Sequence, residues 1–212
     1  LFFYLYLILD VYSRKIVGWE VYAEESADHA ASTFRKSYLR EGIAGQSLIL
    51  HSDNGSPMKG ATMLATLQKL GVMPSFSRPS VSNDNPYSES QFRTLKYHSR
   101  FPDWFASKEN GEAFFTAWFK WYNNDHRHTG LELHTPESVH YGHVSRIVEQ
   151  RQSVMDAAHA MNPERFSHGR PVVRSNPAVV GINLMYRSLP LDEGKGAELV
   201  PETLTEGGIY TN

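Results

Sequence analysis

Apolar and polar positions alternate along this chain in a way that sets out its elements. Residues 2–9 (FFYLYLIL) form an unbroken run of β-forming apolar residues, the pattern of a buried strand. Asp10-Val11-Tyr12-Ser13-Arg14 then reads as a turn, and residues 15–23 (KIVGWEVYA) as a second strand, so the chain opens with a hairpin. Ser26 followed by Ala27, Asp28 and His29 is a helix start, and that helix runs to about Arg40. Leu48-Ile49-Leu50 reads as a short buried strand, residues 58–70 as an amphipathic helix stopped by Gly71, and residues 72–76 as another strand. Residues 77–86 (SRPSVSNDNP) carry turn chemistry throughout and are expected to form a mobile loop. Helices are expected from about Tyr87 to Arg100, from Lys108 to Asn124, from Pro136 as a short segment, and from Val144 to Ala160. Strands alternating with helices in this order imply a mixed α/β layer structure.

Composition narrows the picture. A chain of 212 residues with 41% apolar and 12% aromatic content can bury a substantial core. With no cysteine there is no disulfide and no thiolate metal site, which fits a reducing cytoplasm. The apolar start from Leu1 to Leu9 is too short to span a bilayer and lacks the flanks of a signal peptide, so no membrane association is expected. The formal charge of −2 argues against a uniformly basic nucleic-acid binder. The acidic excess sits in residues 188–212, leaving 20 basic against 18 acidic residues in 1–187, so any basic patch is local. Beyond Pro163 the chain turns Pro-, Gly- and polar-rich. Residues 161–212 are expected to be extended or partly disordered.

Two short motifs carry candidate chemistry. Residues 50–55 (LHSDNG) place Asp53 where a strand ends in a glycine turn, and residues 83–92 (NDNPYSESQF) place Glu89 near the start of a helix. Taken alone, Asp53 reads as a turn residue satisfied by backbone N–H groups, and Glu89 as a helix-dipole partner. Together they read differently, because an Asp at a strand end and a Glu on a following helix can converge on one divalent metal. Arg93 and Lys96 follow Glu89 at i+4 and i+7, on the same helix face, where cations would meet a phosphate backbone. A pattern of helix salt bridges is the plainer reading of those cations.

The run from about residue 3 to 142 resembles the catalytic core of retroviral-type integrases and of the IS3-family insertion-sequence transposases. The resemblance rests on the stretch from Tyr4 to Trp19 (YLYLILDVYSRKIVGW), on His51 to Ser56 (HSDNGS) and on Asp84 to Lys96 (DNPYSESQFRTLK). Tyr122-Asn123, Arg127-His128 and Thr135-Pro136-Glu137 add to it, and the 35 residues between Asp53 and Glu89 equal the family's DD(35)E spacing. It implies an RNase H-like mixed sheet flanked by helices and a polynucleotidyl transferase (DDE transposase). The activity would be metal-dependent DNA cleavage and strand transfer in transposition, with Mg²⁺ or Mn²⁺ as cofactor. Asp53 matches the second family carboxylate and Glu89 the third, both as catalytic metal ligands, and Lys96 with Arg93 would bind DNA. Transposon-end and target DNA are the implied partners, with further copies of the chain in a homo-oligomer. The implied location is the bacterial cytoplasm, in association with the nucleoid.

The family's first Asp lies on a strand upstream of the YLYLILDVYSR segment, and Asp10 is not that residue. The expectation is therefore a core truncated at its N-terminus (1–142), lacking its first strand and inactive as it stands, followed by a helical extension (143–160) and the tail (161–212). A non-catalytic remnant that only folds, dimerises or binds DNA is the alternative. A simple RNase H-like nuclease is a third reading, disfavoured because motifs outside the carboxylates match as well. His126-Arg127-His128 is expected to be structural, since zinc wants four converging ligands. The resemblance also offers Arg127 and His128 as buttresses of the active-site face. The Phe/Trp stripe from Phe114 to Trp121 reads as a core face, Ser13-Arg14 as turn chemistry, and His51 as either a support for Asp53 or a satisfied strand-end residue.

Overall fold

The computed structural model describes residues 2–79, 84–182, 186–188 and 199–201; residues 80–83 of the expected loop and 183–185, 189–198 and 202–212 of the expected tail lie outside these. The elements run β1 (Tyr4–Leu9), β2 (Ile16–Tyr22), α1 (Ala27–Arg40), β3 (Leu48–Ser52), α2 (Ser56–Lys59), α3 (Ala61–Leu70), β4 (Val72–Phe76), α4 (Pro86–Lys96), α5 (Lys108–Asn124), α6 (Pro136–His140), α7 (Val144–Met161), β5 (Tyr186–Ser188) and β6 (Leu199–Pro201). They divide into two compact units. One holds residues 1–12, 17–113 and 179 onward, the other residues 13–16 and 114–178.

In the first unit α1 is the organising element. Ser26 caps it in extended conformation, its side chain accepting the N–H of His29 at 3.1 Å, while the Tyr6 hydroxyl accepts the Ser26 N–H (2.9 Å) and donates to the Ser26 carbonyl (3.1 Å). Ala30, Ala31, Phe34 and Tyr38 bury one face of α1 against Met63 and Leu67 of α3 and Val72 of β4. Tyr6 and Ile8 of β1 and Leu48 and Leu50 of β3 pack on the same cluster. Each large side chain buried this way contributes about 1.5–3 kcal/mol. β1 pairs with β2, and β3 pairs in parallel with β4, joining Leu48 to Val72 and Ser52 to Phe76 in register. A parallel pair needs a crossover, which α2 and α3 supply. Among the described residues the two pairs are not hydrogen-bonded to each other. Pro74 in β4 has no N–H to donate, which suits an edge strand.

Two helices differ from expectation. The helix expected over 58–70 is two helices broken at Gly60, whose backbone is extended (φ −64°, ψ 145°). A Cβ at Gly60 would lie 2.4 Å from that of Ala27, so the close approach of α1 fixes both the glycine and the break. Gly71 then ends α3 in the left-handed conformation (φ 70°), as expected. The helix carrying Glu89 ends at Lys96 rather than about Arg100. Phe101 precedes Pro102, which disfavours helical backbone, and the chain turns instead through a 2.8 Å bond from the Phe101 N–H to the His98 carbonyl.

The second unit is built on aromatics. Phe115, Trp118, Phe119 and Tyr122 of α5 are all buried, with Trp118 stacked on Tyr122 and Phe115 on Phe119. The stripe is a core face, as its spacing predicts. His126 stacks on Tyr122, and His128 meets both rings edge-on. Ser13–Ile16 belongs to this unit. The Asn123 amide pairs with both backbone groups of Ile16 (2.9 and 3.0 Å), standing where a neighbouring strand would. The buried Lys15 ammonium donates to the Tyr141 hydroxyl at 2.6 Å and lies 3.8 Å from Glu137. Glu132 and Leu133 are both left-handed without being glycine, and Arg151 of α7 donates to their two carbonyls (3.1 and 2.8 Å). Asp156, held down to about 2 by its fork with Arg170 and by Gln152, fastens the following extended segment to α7.

Two measurements check this packing. A Cβ at Gly18 of β2 would sit 1.8 Å from the Ser37 Oγ and 2.7 Å from its Cβ. Gly18→Ala is expected to destabilise by about 1–3 kcal/mol in chemical unfolding, as overpacking does, and an unchanged midpoint would refute the close approach of β2 and α1. His128 is neutral because burial, then the Arg14 charge and His126, push its pKa down to about 4, and its Nδ1 accepts the Gly130 N–H. Fully buried His134 is lowered by burial first and then by Arg151 and Arg127. The unfolded chain titrates both near 6.5, so it binds more protons than the fold below that pH. Stability is expected to be flat above pH 6.5 and to fall as pH drops towards 4, with a shallower fall in His128→Gln; a pH-independent unfolding midpoint over that range would contradict it.

Candidate functional site

The site grows out of the end of the β3–β4 ladder. Ser52 closes β3, and the Ser77 N–H donates to its carbonyl at 3.0 Å, carrying the pairing one step past β4. Asp53 therefore leaves a strand whose end is held. Its Oδ1 accepts the Gly55 N–H at 3.1 Å, an Asx turn that fixes the side chain, and the Asn54 amide donates to the Ser77 carbonyl at 2.7 Å. Glu89 lies in the first turn of α4, which Pro86 begins, and its N–H donates to the Asn85 carbonyl. Both carboxylates are exposed.

Asp53, Asn54, Ser77, Glu89, Phe92 and Lys96 line one cleft of roughly 350 Å³. The structure thus brings together Asp53, Glu89 and Lys96, three of the four residues singled out by the sequence. Arg93, one helical step from Lys96, is exposed and is not part of the cleft wall. Asp10 serves its own turn, its Oδ1 accepting the Tyr12 N–H at 3.2 Å.

Sequence reading missed what ties the two carboxylate-bearing elements together. Arg78 grips Asp84 with its Nε and Nη2 (2.9 and 2.8 Å), and the Arg78 N–H adds a third bond at 2.8 Å. The Asp84 carboxylate is almost fully buried while the arginine is largely exposed. The fork holds the Arg78 guanidinium above its ordinary pKa. His51, two residues before Asp53, spans the remaining distance. Its Nε2 faces the Asp84 carbonyl at 2.9 Å, and its Nδ1 faces the Ser75 hydroxyl at 2.9 Å. A carbonyl only accepts, so Nε2 carries the proton. The available signal was an Arg and an Asp bracketing a turn-rich segment, with a histidine on the neighbouring strand. Spacing alone cannot say that these three meet.

The chain is similar to several known proteins. The integrase core domain family matches residues 2–82, and a second integrase core domain family matches residues 70–136. The transposase for insertion sequence element IS904 of Lactococcus lactis is 30% identical over 135 residues, covering 63% of this chain and 53% of that protein. The chain carries an integrase core domain, which the two family matches together cover over residues 2–136. Transposase InsF for insertion sequence IS3A of Escherichia coli is 27% identical over the same length, covering 63% of this chain and 46% of that protein. The chain thus spans about half the length of the curated relatives it matches. In structure, a chain of the simian T-cell lymphotropic virus intasome in complex with PP2A regulatory subunit B56 gamma superposes with a TM-score of 0.52 at 13% identity. That match covers 93% of this chain and 60% of the other, and bears on the fold, which is RNase H-like.

In this integrase core the buried Asp84 depends on Arg78. Arg78→Ala is expected to lower the melting temperature, and Arg78→Lys is expected not to restore it, because an ammonium cannot reproduce the two-pronged fork. A lysine variant as stable as the parent would show that charge alone suffices.

Proposed function

We propose that this integrase core acts on DNA in transposition, through metal-dependent cleavage and strand transfer, with Asp53 and Glu89 as metal ligands and Lys96 and Arg93 on the phosphates. The observation that carries the reading is the convergence of Asp53, Glu89 and Lys96 on one cleft, from a strand end and a helix, with 35 residues between the two carboxylates. The IS904 and IS3A relatives are named as transposases, which supports the same reading.

The donors suit a hard cation. Both are carboxylates with exposed oxygens, the ligand type of Mg²⁺ and Mn²⁺. Among the described residues no group of three or more His, Cys, Asp or Glu comes together that could hold an ion, so the pair is a partial ligand set. When bound, such an ion polarises a phosphoryl oxygen and eases attack by water or a 3′-hydroxyl. The chain's own residues then have defined tasks. The Asx turn keeps Asp53 aimed, the Asp84–His51 tie holds α4 and hence Glu89 against β3, and Lys96 supplies a point charge for a phosphate at the cleft wall. On this reading the partners are transposon-end and target DNA and further copies of the chain.

The partial ligand set favours a second reading, in which these 212 residues bind DNA without reacting. The two readings separate by experiment. Mn²⁺ titration is expected to show weak binding that Asp53→Asn or Glu89→Gln removes, and the chain alone is expected to give no strand transfer on a DNA end. Equal Mn²⁺ binding by all three proteins would remove the metal site. Efficient DNA joining by the 212 residues would mean that another group completes it, with Asp10 the first to test.

Lys96 gives an independent check. Lys96→Ala is expected to weaken DNA-end binding at low salt and to reduce the salt slope by roughly 0.9, the loss of one phosphate contact. Unchanged affinity at low salt would take Lys96 out of the site.

A further inference from the structure

The exposed face of α4 continues past Lys96 in an unusual way. Tyr97 is 84% exposed, and Trp104, in the irregular segment that follows the turn, is 74% exposed. Neither ring stacks on or hydrogen-bonds to any described residue. On α5, by contrast, Trp118 and Tyr122 are only 4% and 1% exposed. Leaving two large aromatic rings in water forgoes the burial that usually fixes them, and such surfaces mark contact sites.

Their surroundings indicate the contact. Arg93, Lys96 and Arg100 are all exposed and form no ion pair with a described residue, and the stretch from 90 to 104 contains a single acidic residue, Asp103. This is a local basic stripe in a chain of net charge −2. Tyr97 is still helical in its bonding, its N–H donating to the Arg93 carbonyl, so it stands over Arg93 and Glu89 on one side of the helix. Eight residues of helix put it about 12 Å along the axis from Glu89, some three to four nucleotide steps at roughly 3.4 Å each.

We propose that this stripe seats an unpaired DNA strand as it leaves the cleft, with phosphates on Arg93, Lys96 and Arg100 and bases stacked on Tyr97 and Trp104. The proposal rests on the DNA reading of the cleft and adds the form of the substrate. Cations alone would suit any nucleic acid, but aromatic faces need bases whose own faces are uncovered, and in a duplex the neighbouring pairs cover them. A second copy of the chain is the other candidate occupant. Two identical cationic stripes facing each other across a two-fold axis would repel, which disfavours it.

The test is fluorescence anisotropy of the full 212-residue chain with EDTA present, against a labelled oligothymidylate and a blunt duplex of equal length. The Tyr97→Ser, Trp104→Ser double variant is expected to lose about tenfold or more in affinity for the single strand while its duplex affinity and salt slope stay unchanged. Trp104→Phe, which keeps a stacking face, is expected to retain most of the affinity but to lose the quenching of tryptophan fluorescence by the single strand. Arg100→Gln is expected to reduce the single-strand salt slope by roughly 0.7. Equal single-strand affinity in the double variant would overturn the proposal, as would equal losses on single strand and duplex. A change in oligomeric state by sedimentation in place of a DNA effect would assign the rings to a protein contact and also overturn it. The double variant is expected to bind Mn²⁺ as the parent does, so failure of the metal reading and failure of the stacking surface register separately.

Discussion

A histidine and a buried carboxylate hold the functional end of this molecule together. His51 sits on the strand that delivers Asp53, and Asp84 sits just ahead of the helix that delivers Glu89, 33 positions away from His51. The bond from the His51 Nε2 to the Asp84 carbonyl makes the end of β3 and the start of α4 neighbours. Arg78 makes that contact rigid, because its fork satisfies a carboxylate that would be costly to bury alone. Ser77 adds a second tie, bonded to Ser52 and Asn54 on either side of Asp53 in sequence. Two carboxylates on separate elements can share an ion only if their elements are held to within fractions of an ångström. The tie between β3 and α4 is therefore what the cleft depends on, although neither Arg78 nor His51 lines it.

Aromatic residues divide sharply by context. On α5 they recur at helical spacing and stack among themselves, so they form the core of the second unit. Past the end of α4, Tyr97 and Trp104 are exposed, in a stretch that also carries the exposed Lys96 and Arg100. The same side-chain chemistry stabilises the fold in one place and offers itself to a ligand in the other. Similar logic separates the lysines. Lys15 is buried and committed to Tyr141 and Glu137, while Lys96 is exposed on the cleft wall. The first is part of the packing of the Ser13–Ile16 turn, and the second forms no ion pair with a described residue.

Much of this protein is legible in its sequence. Element order follows from apolar periodicity, and the cap at Ser26, the left-handed end at Gly71 and the aromatic stripe of α5 follow from local chemistry whose cause lies within a few residues. The ordered motifs around Asp53 and Glu89 also suffice for the family resemblance, and the integrase core matches agree with it. What only the tertiary structure decided involves partners far apart in the chain. The break at Gly60 exists because Ala27 comes within a methyl group's reach, and the Arg78–Asp84–His51 network exists because a strand and a loop meet. Helical spacing put Arg93 and Lys96 on one face with Glu89, yet only the position of the cleft selects Lys96 for its wall. Local preference acts through neighbours on the chain and can be read from it, whereas contacts between distant segments are fixed by packing, which a linear pattern does not record.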